Sequence, residues 1–218
     1  MRFLDELRAE HGRIDPLLGS LCTYAGRRAR GEAGPDDAGA FLRFFQLFAG
    51  GYHHAREEKI LLPALVERAQ LPPERGPIPS LLQQHRDIAV LLDEVGALLP
   101  LERLEAGQGA ALTAAATRYA HALWRHIDAE NSVLLPESEA RLGRAGVLEL
   151  PERPIGVEEQ AAHDAALPLV VRYPSQHDRT ALRGEGCVVC PSYGTSCDGV
   201  EREWWTDEEW DDFFDRVG

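Results

Sequence analysis

Each of four long segments repeats apolar residues three and four apart and carries a histidine on that same apolar face. In the first, Leu4, Leu7, His11, Ile14, Leu18 and Leu21 share one face; in the third, Leu81, His85, Ile88, Leu92, Val95 and Leu99 do. This spacing is that of a helix with one side turned to a core. It predicts helices over about residues 3–30, 36–68, 80–99 and 108–142, with breaks at 31–35 and in the proline-rich stretch 71–79. Pro16 predicts a kink one turn after His11, because it deletes a backbone bond and crowds the Gly12 carbonyl. Pro63 marks a bend in the second helix, and the fourth contains a further proline, Pro136. Four amphipathic helices with mostly short connections predict an all-α antiparallel four-helix bundle over residues 1–150.

The 218 residues suit one medium domain with an appendage, and 44% hydrophobic content is enough for a sizeable core. The formal net charge of -13 argues against nucleic acid or an anionic membrane as partner, since both need a basic patch. No apolar run approaches the length of a membrane span. Asp5 and Glu6 stand where a signal peptide needs apolar residues, so a cytoplasmic location is expected.

The histidines carry the chemistry. His53/Glu57 and His126/Glu130 are pairs four apart, which project both side chains the same way. A carboxylate in a bundle core is costly without a cation. Imidazole and carboxylate together suit iron, or manganese, which the sequence does not separate. The second helix also contains His54/Glu58. The face through His53 holds Leu42, Phe45, Ala49, Glu57, Ile60 and Ala64; the face through His54 holds Arg43, Gly50, Gly51 and Glu58. The more apolar face selects His53/Glu57, with His54/Glu58 read as a neighbouring polar pair and kept as the alternative register. Metal loss is accordingly expected on replacing His53 and not on replacing His54. Glu57 lies six before Pro63 and Glu130 six before Pro136, so the two pairs occupy matching places.

Over about residues 1–145 these motifs, in this order on four helices, resemble the hemerythrin-like family with its His-His-Glu cation-binding bundle. The stretch from His126 to Pro136 is similar to bacterial di-iron proteins linked to iron–sulphur cluster repair under nitrosative stress. The resemblance implies a di-iron centre with an oxo or hydroxo bridge and with His11, His53, Glu57, His85, His126 and Glu130 as ligands. Oxygen-carrying hemerythrins add a histidine one turn after that of helix 3, where this chain has Ala89. Two six-coordinate irons need roughly twelve bonds, and these ligands with the bridge supply roughly ten. The expected site is therefore more open than a carrier's. It would bind or redox-process O2, NO or peroxide, as a sensor or stress-response protein. Turnover as an NO or peroxide reductase, or as an iron donor for cluster repair, would require a redox partner protein. A metal-dependent signalling or interaction module is the non-enzyme alternative.

Other residues are read more plainly. His121 lies about 140° from His126 and off the site. Tyr119 shares the His126 face and is read as core packing, with a hydrogen-bond or electron-relay role as the alternative. Asp15 either orients a ligand or shapes the turn before Pro16, and Cys22 is a buried small hydrophobe. Residues 151–218 form a C-terminal extension that starts with a linker at 151–156. In it, Cys187, Cys190 and Cys197 make a candidate second site: a zinc or other metal knot with His177 or His163 as fourth ligand, a redox-active Cys187/Cys190 pair, or unliganded thiols. A short acidic helix follows, capped by Thr206 and Glu209 and stapled by Trp205 and Trp210. Its face of Trp210, Phe213, Phe214 and Val217 is expected to pack on the bundle.

Overall fold

The structure, a computed structural model, describes residues 1–176. All regular structure in that range is helical. Helix α1 (Arg2–Ala29) runs unbroken through Pro16. Helix α2 spans residues 38–67 as one rod of four stretches: Ala38–Arg43 is α-helical, Phe44–His54 and Glu57–Leu61 are π-helical, and Leu62–Glu67 is α-helical again. Helix α3 (Pro77–Leu98) starts after Gly76, whose φ of 72° reverses the chain before Pro77 sets the first turn. Helix α4 spans residues 108–144, with a π-helical stretch at Glu130–Leu134 between α-helical Gln108–Ala129 and Leu135–Arg144. The four-helix expectation holds, with each helix close to its predicted bounds.

The π-helical stretches have a local cause. A proline offers no N–H to the carbonyl four residues back, and its ring crowds that carbonyl. In both α2 and α4 the turn leading to the proline is the wide one, Glu57–Leu61 before Pro63 and Glu130–Leu134 before Pro136. The matched distance from glutamate to proline is therefore a matched distortion, opening just where each carboxylate projects. Upstream in α2, a Cβ on Gly51 would stand 3.2 Å from the Gln46 carbonyl oxygen. The missing side chain gives the long π stretch its room.

Two apolar clusters fill the bundle. One contains Ile14, Leu18, Phe41, Phe44, Phe45, Phe48, Ile88, Leu92, Tyr119, Leu123 and Ile127. The other contains Leu4, Leu7, Leu61, Leu65, Leu81, Val133, Leu135 and Leu142. His11, His53, His85 and His126 each lie between residues of one cluster and residues of the other along their helix. Each fully buried Leu or Phe contributes about 1.5–3 kcal/mol. Two such clusters are what allow the chain to tolerate a polar layer between them.

A fifth helix, α5 (Val157–Arg172), was not legible in sequence. Glu159 accepts from the Gly156 N–H at 2.6 Å and pairs with Arg153 at 2.6 Å, fixing its start. Its buried face is Ala162, His163, Ala166 and Leu169, too small to register as an apolar stripe. The His163 ring packs 5.1 Å from that of Phe48, on the outside of α2. At its far end Arg172 and the Tyr173 hydroxyl both reach Asp37, at 2.6 and 2.7 Å. Ser175 then crosses α1 so closely at Gly19 that a Cβ there would collide with it. Among the described residues no helix is long and apolar enough to cross a membrane. Cys187, Cys190, Cys197 and His177, and the aromatic acidic segment with Thr206, Glu209 and Trp210, lie outside the described residues.

Candidate metal centre

The structure brings His11, His53, Glu57, His85, His126 and Glu130 together, and it adds His54. These residues form two groups of donors whose atoms lie within 4.8 Å of one another. His54, Glu57, His85 and His126 make one group; His11, His53, Glu57 and Glu130 make the other. Glu57 belongs to both. Its two oxygens lie 3.5 Å from His53 Nε2 and 3.5 Å from His85 Nε2. Glu130 spans the same gap, 3.2 Å from His11 Nε2 and 3.2 Å from His126 Nε2. Each carboxylate thus reaches from one imidazole group to the other.

The inclusion of His54 corrects the reading of this residue as a polar neighbour of Glu58. The choice between registers assumed an α-helix, in which adjacent residues diverge by about 100°. The Phe44–His54 stretch is π-helical, and its wider turn separates neighbours by less, so His53 and His54 both face inward. The His54 ring lies flat on that of His85, with centroids 4.0 Å apart. Glu58 pairs instead with His85 Nδ1 at 2.8 Å. The fifth imidazole, placed by the resemblance at position 89, comes from α2, while Ala89 itself is exposed. With His54 the layer offers five imidazoles in place of four, so a bridged pair of six-coordinate irons bound here would keep roughly one open position out of twelve rather than two. We predict that His54→Ala, like His53→Ala, removes about one metal ion per chain, read by elemental analysis of the purified variants.

Around the imidazoles runs a ring of acceptors. The Nδ1–H of His53 donates to Glu10 at 2.9 Å, that of His85 to Glu58 at 2.8 Å, that of His126 to Gln84 at 2.9 Å and that of His11 to Asn131 at 2.8 Å. These bonds set the tautomer and leave Nε2 aimed inward as a lone pair. None of the Nε2 atoms of His11, His53 and His54, nor any oxygen of Glu57 and Glu130, makes a hydrogen bond, although all are buried. Seven such groups at about 1–3 kcal/mol each amount to on the order of 10 kcal/mol, comparable to a whole domain's stability. Metal cations, for which all seven are donors, remove that cost, and the donor set fits them.

The electrostatics agree. Burial holds the imidazolium forms of His11, His53, His54 and His126 down, so these rings are neutral. Burial also pushes both carboxyls up, with Glu130 adding to the effect on Glu57; Glu130 rises to about 8. Such carboxyls keep their protons until a cation displaces them. We predict that metal loading releases protons, and more of them at pH 7 than at pH 9, where Glu130 has already ionised. A pH-stat titration of the metal-free chain reads this directly.

The remaining candidates serve the scaffold. Asp15 accepts from the Trp124 indole N–H at 2.7 Å and so ties α1 to α4. Tyr119 packs edge-on against Phe45 with centroids 5.1 Å apart. Cys22 is buried, donates to the Ala116 carbonyl, and burial raises its thiol to about 12. His121 joins neither donor group and lies against Trp124. Comparison with curated proteins and with solved structures found no match to the chain. Its sequence does match the hemerythrin HHE cation-binding domain over residues 2–138. With that match over more than half its length and a buried layer of histidines and glutamates built to take cations, the chain belongs to the hemerythrin HHE cation-binding domain family.

Proposed function

We propose that this chain is a non-haem di-iron protein that binds or redox-processes a small ligand, O2, NO or peroxide, in a sensing or stress-response role. The observation that supports it best is the pair of donor groups sharing Glu57, made only of imidazole nitrogens and carboxylate oxygens. Bound iron supplies reversible one-electron redox chemistry and a site for a small ligand. The chain's residues supply the rest. Glu57 and Glu130 would tie the two positions together, with His54, His85 and His126 holding a metal at one and His11 and His53 at the other. The second position would have the fewer protein ligands. The apolar clusters on both sides keep bulk water away.

Elemental analysis combined with an absorption spectrum tests this reading: two irons per chain and a near-ultraviolet band are expected. A chain with no stoichiometric iron sinks it. A turnover reading, as an NO or peroxide reductase served by a redox partner, is favoured by a cleft of about 260 Å³ between α3 and α4 that ends on His126, with Gln84, Asp87 and Arg125 at its walls. Stopped-flow mixing of the reduced protein with NO or peroxide, in the presence of an excess of a one-electron reductant, separates turnover, which consumes many equivalents, from binding, which consumes one.

A further inference from the structure

The four outer partners of the imidazoles are not alike. Asn131 and Gln84 are neutral amides. Glu58 is a carboxylate, but its side chain is 37% exposed, where solvent screens its charge. Glu10 alone is an acid in a dry place, with its side chain 4% exposed. One of its oxygens accepts from His53 Nδ1, and the other is taken by the Arg56 guanidinium.

Arg56 is itself unusual. Its side chain is 1% exposed, between the Phe3 ring at 4.5 Å and the Tyr52 ring at 5.3 Å. It also donates to Glu6 at 2.5 Å and lies 3.4 Å from the Tyr52 hydroxyl. A guanidinium in such a place carries a desolvation penalty, which an apolar side chain of the same volume would avoid. It belongs to neither donor group. Its Nη1 instead holds one Glu10 oxygen while its Nη2 is anchored on Glu6, which leaves the other Glu10 oxygen for His53. Glu10 is next to His11 in the chain, and Arg56 is three residues from His53. The two helices that supply the two-imidazole position thus interlock behind it.

We infer that Glu10, clamped by Arg56, is a positioning residue that strengthens His53 as a donor and so makes the two-imidazole half of the centre hold its metal tightly and in the oxidised state. A carboxylate behind an imidazole N–H raises the basicity of the opposite nitrogen. In a dry site that influence is much larger than at the surface. The device offsets the one imidazole by which this half falls short of the other. The inference rests on the di-iron reading above.

The test uses the iron-loaded full chain and two isosteric variants, Glu10→Gln and Glu58→Gln. Glu10→Gln keeps an acceptor for His53 and leaves Arg56 paired with Glu6. We expect it to weaken retention of one of the two irons by about 10- to 100-fold and to raise that iron's reduction potential, a readout that a purely structural role would not move. Glu58→Gln is expected to change both quantities by much less. Arg56→Lys keeps the charge without the grip and should fall between the unsubstituted chain and Glu10→Gln; it carries the test if Glu10→Gln does not fold. Unchanged affinity and potential in Glu10→Gln and Arg56→Lys overturn the inference, as does an equal effect of Glu58→Gln. An unsubstituted chain that takes up no iron overturns the di-iron reading and this inference with it. Two irons in the unsubstituted chain keep the first standing while the variants decide the second.

Discussion

Glu57→Leu is expected to abolish stoichiometric metal binding at both positions, and at the same time to raise the melting temperature of the metal-free chain. The first effect follows from geometry. Glu57 is the residue common to both donor groups, so its loss removes a donor from each and one of the two carboxylates that span them. The second follows from burial. Both Glu57 oxygens are buried without a hydrogen bond, and the carboxyl is held protonated by desolvation and by Glu130. An apolar side chain removes about 1–3 kcal/mol of unsatisfied polarity for each such group. Metal content and thermal unfolding of the stripped protein read the two effects separately. An ordinary core glutamate held by neighbours would lose stability on this change, so the opposite signs distinguish a ligand from a structural residue.

Metal removal is expected to have the largest effect on stability. A ligand that binds only the folded chain, at a thousand times its dissociation constant, adds about 4.1 kcal/mol, so two such positions add about 8 kcal/mol. For a chain of this size each kcal/mol moves the melting temperature by roughly 2–4 °C, which predicts a fall of roughly 16–32 °C on full chelation. The fall should be reversed by adding the metal back. Differential scanning calorimetry with and without chelator measures it. Equal melting temperatures would mean that the inward-facing donors carry no cation in the folded protein.

The helices of the bundle were readable because their apolar residues are large and regularly spaced. Leu4, Leu7, Ile14, Leu18 and Leu21 leave no other reading for the first, and its structure runs Arg2–Ala29 as that spacing requires. Most of the donor layer was readable for the related reason that His11, His53, His85 and His126 replace apolar residues in those same stripes. His54 is not legible because consecutive residues diverge at the α-helical angle, and only the π-helical stretch lets two consecutive histidines face one way. The signals were present in Gly50 and Gly51, just ahead of the pair, and in the matched prolines, but a single sequence does not announce a π turn. Helix α5 was missed because its buried face is built from Ala162, His163, Ala166 and Leu169, which do not stand out from a polar background. The outer acceptors Glu10, Gln84 and Asn131 were missed because each lies beside a donor in the chain yet serves a donor on another helix, a relation that only the packing reveals.

The wide turns in α2 amount to extra backbone threaded into a rod whose two ends are pinned by packing. The orientation of His53, His54 and Glu57 therefore depends on how many residues precede them as much as on what those residues are. Deleting one glycine of the Gly50–Gly51 pair would let the rod relax toward a regular helix, in which His53 and His54 diverge by about 100° and no longer face the same way. No replacement of side chains could undo that. In descendants of this gene, a lost codon in this stretch would be a harsher lesion than most amino-acid changes around it.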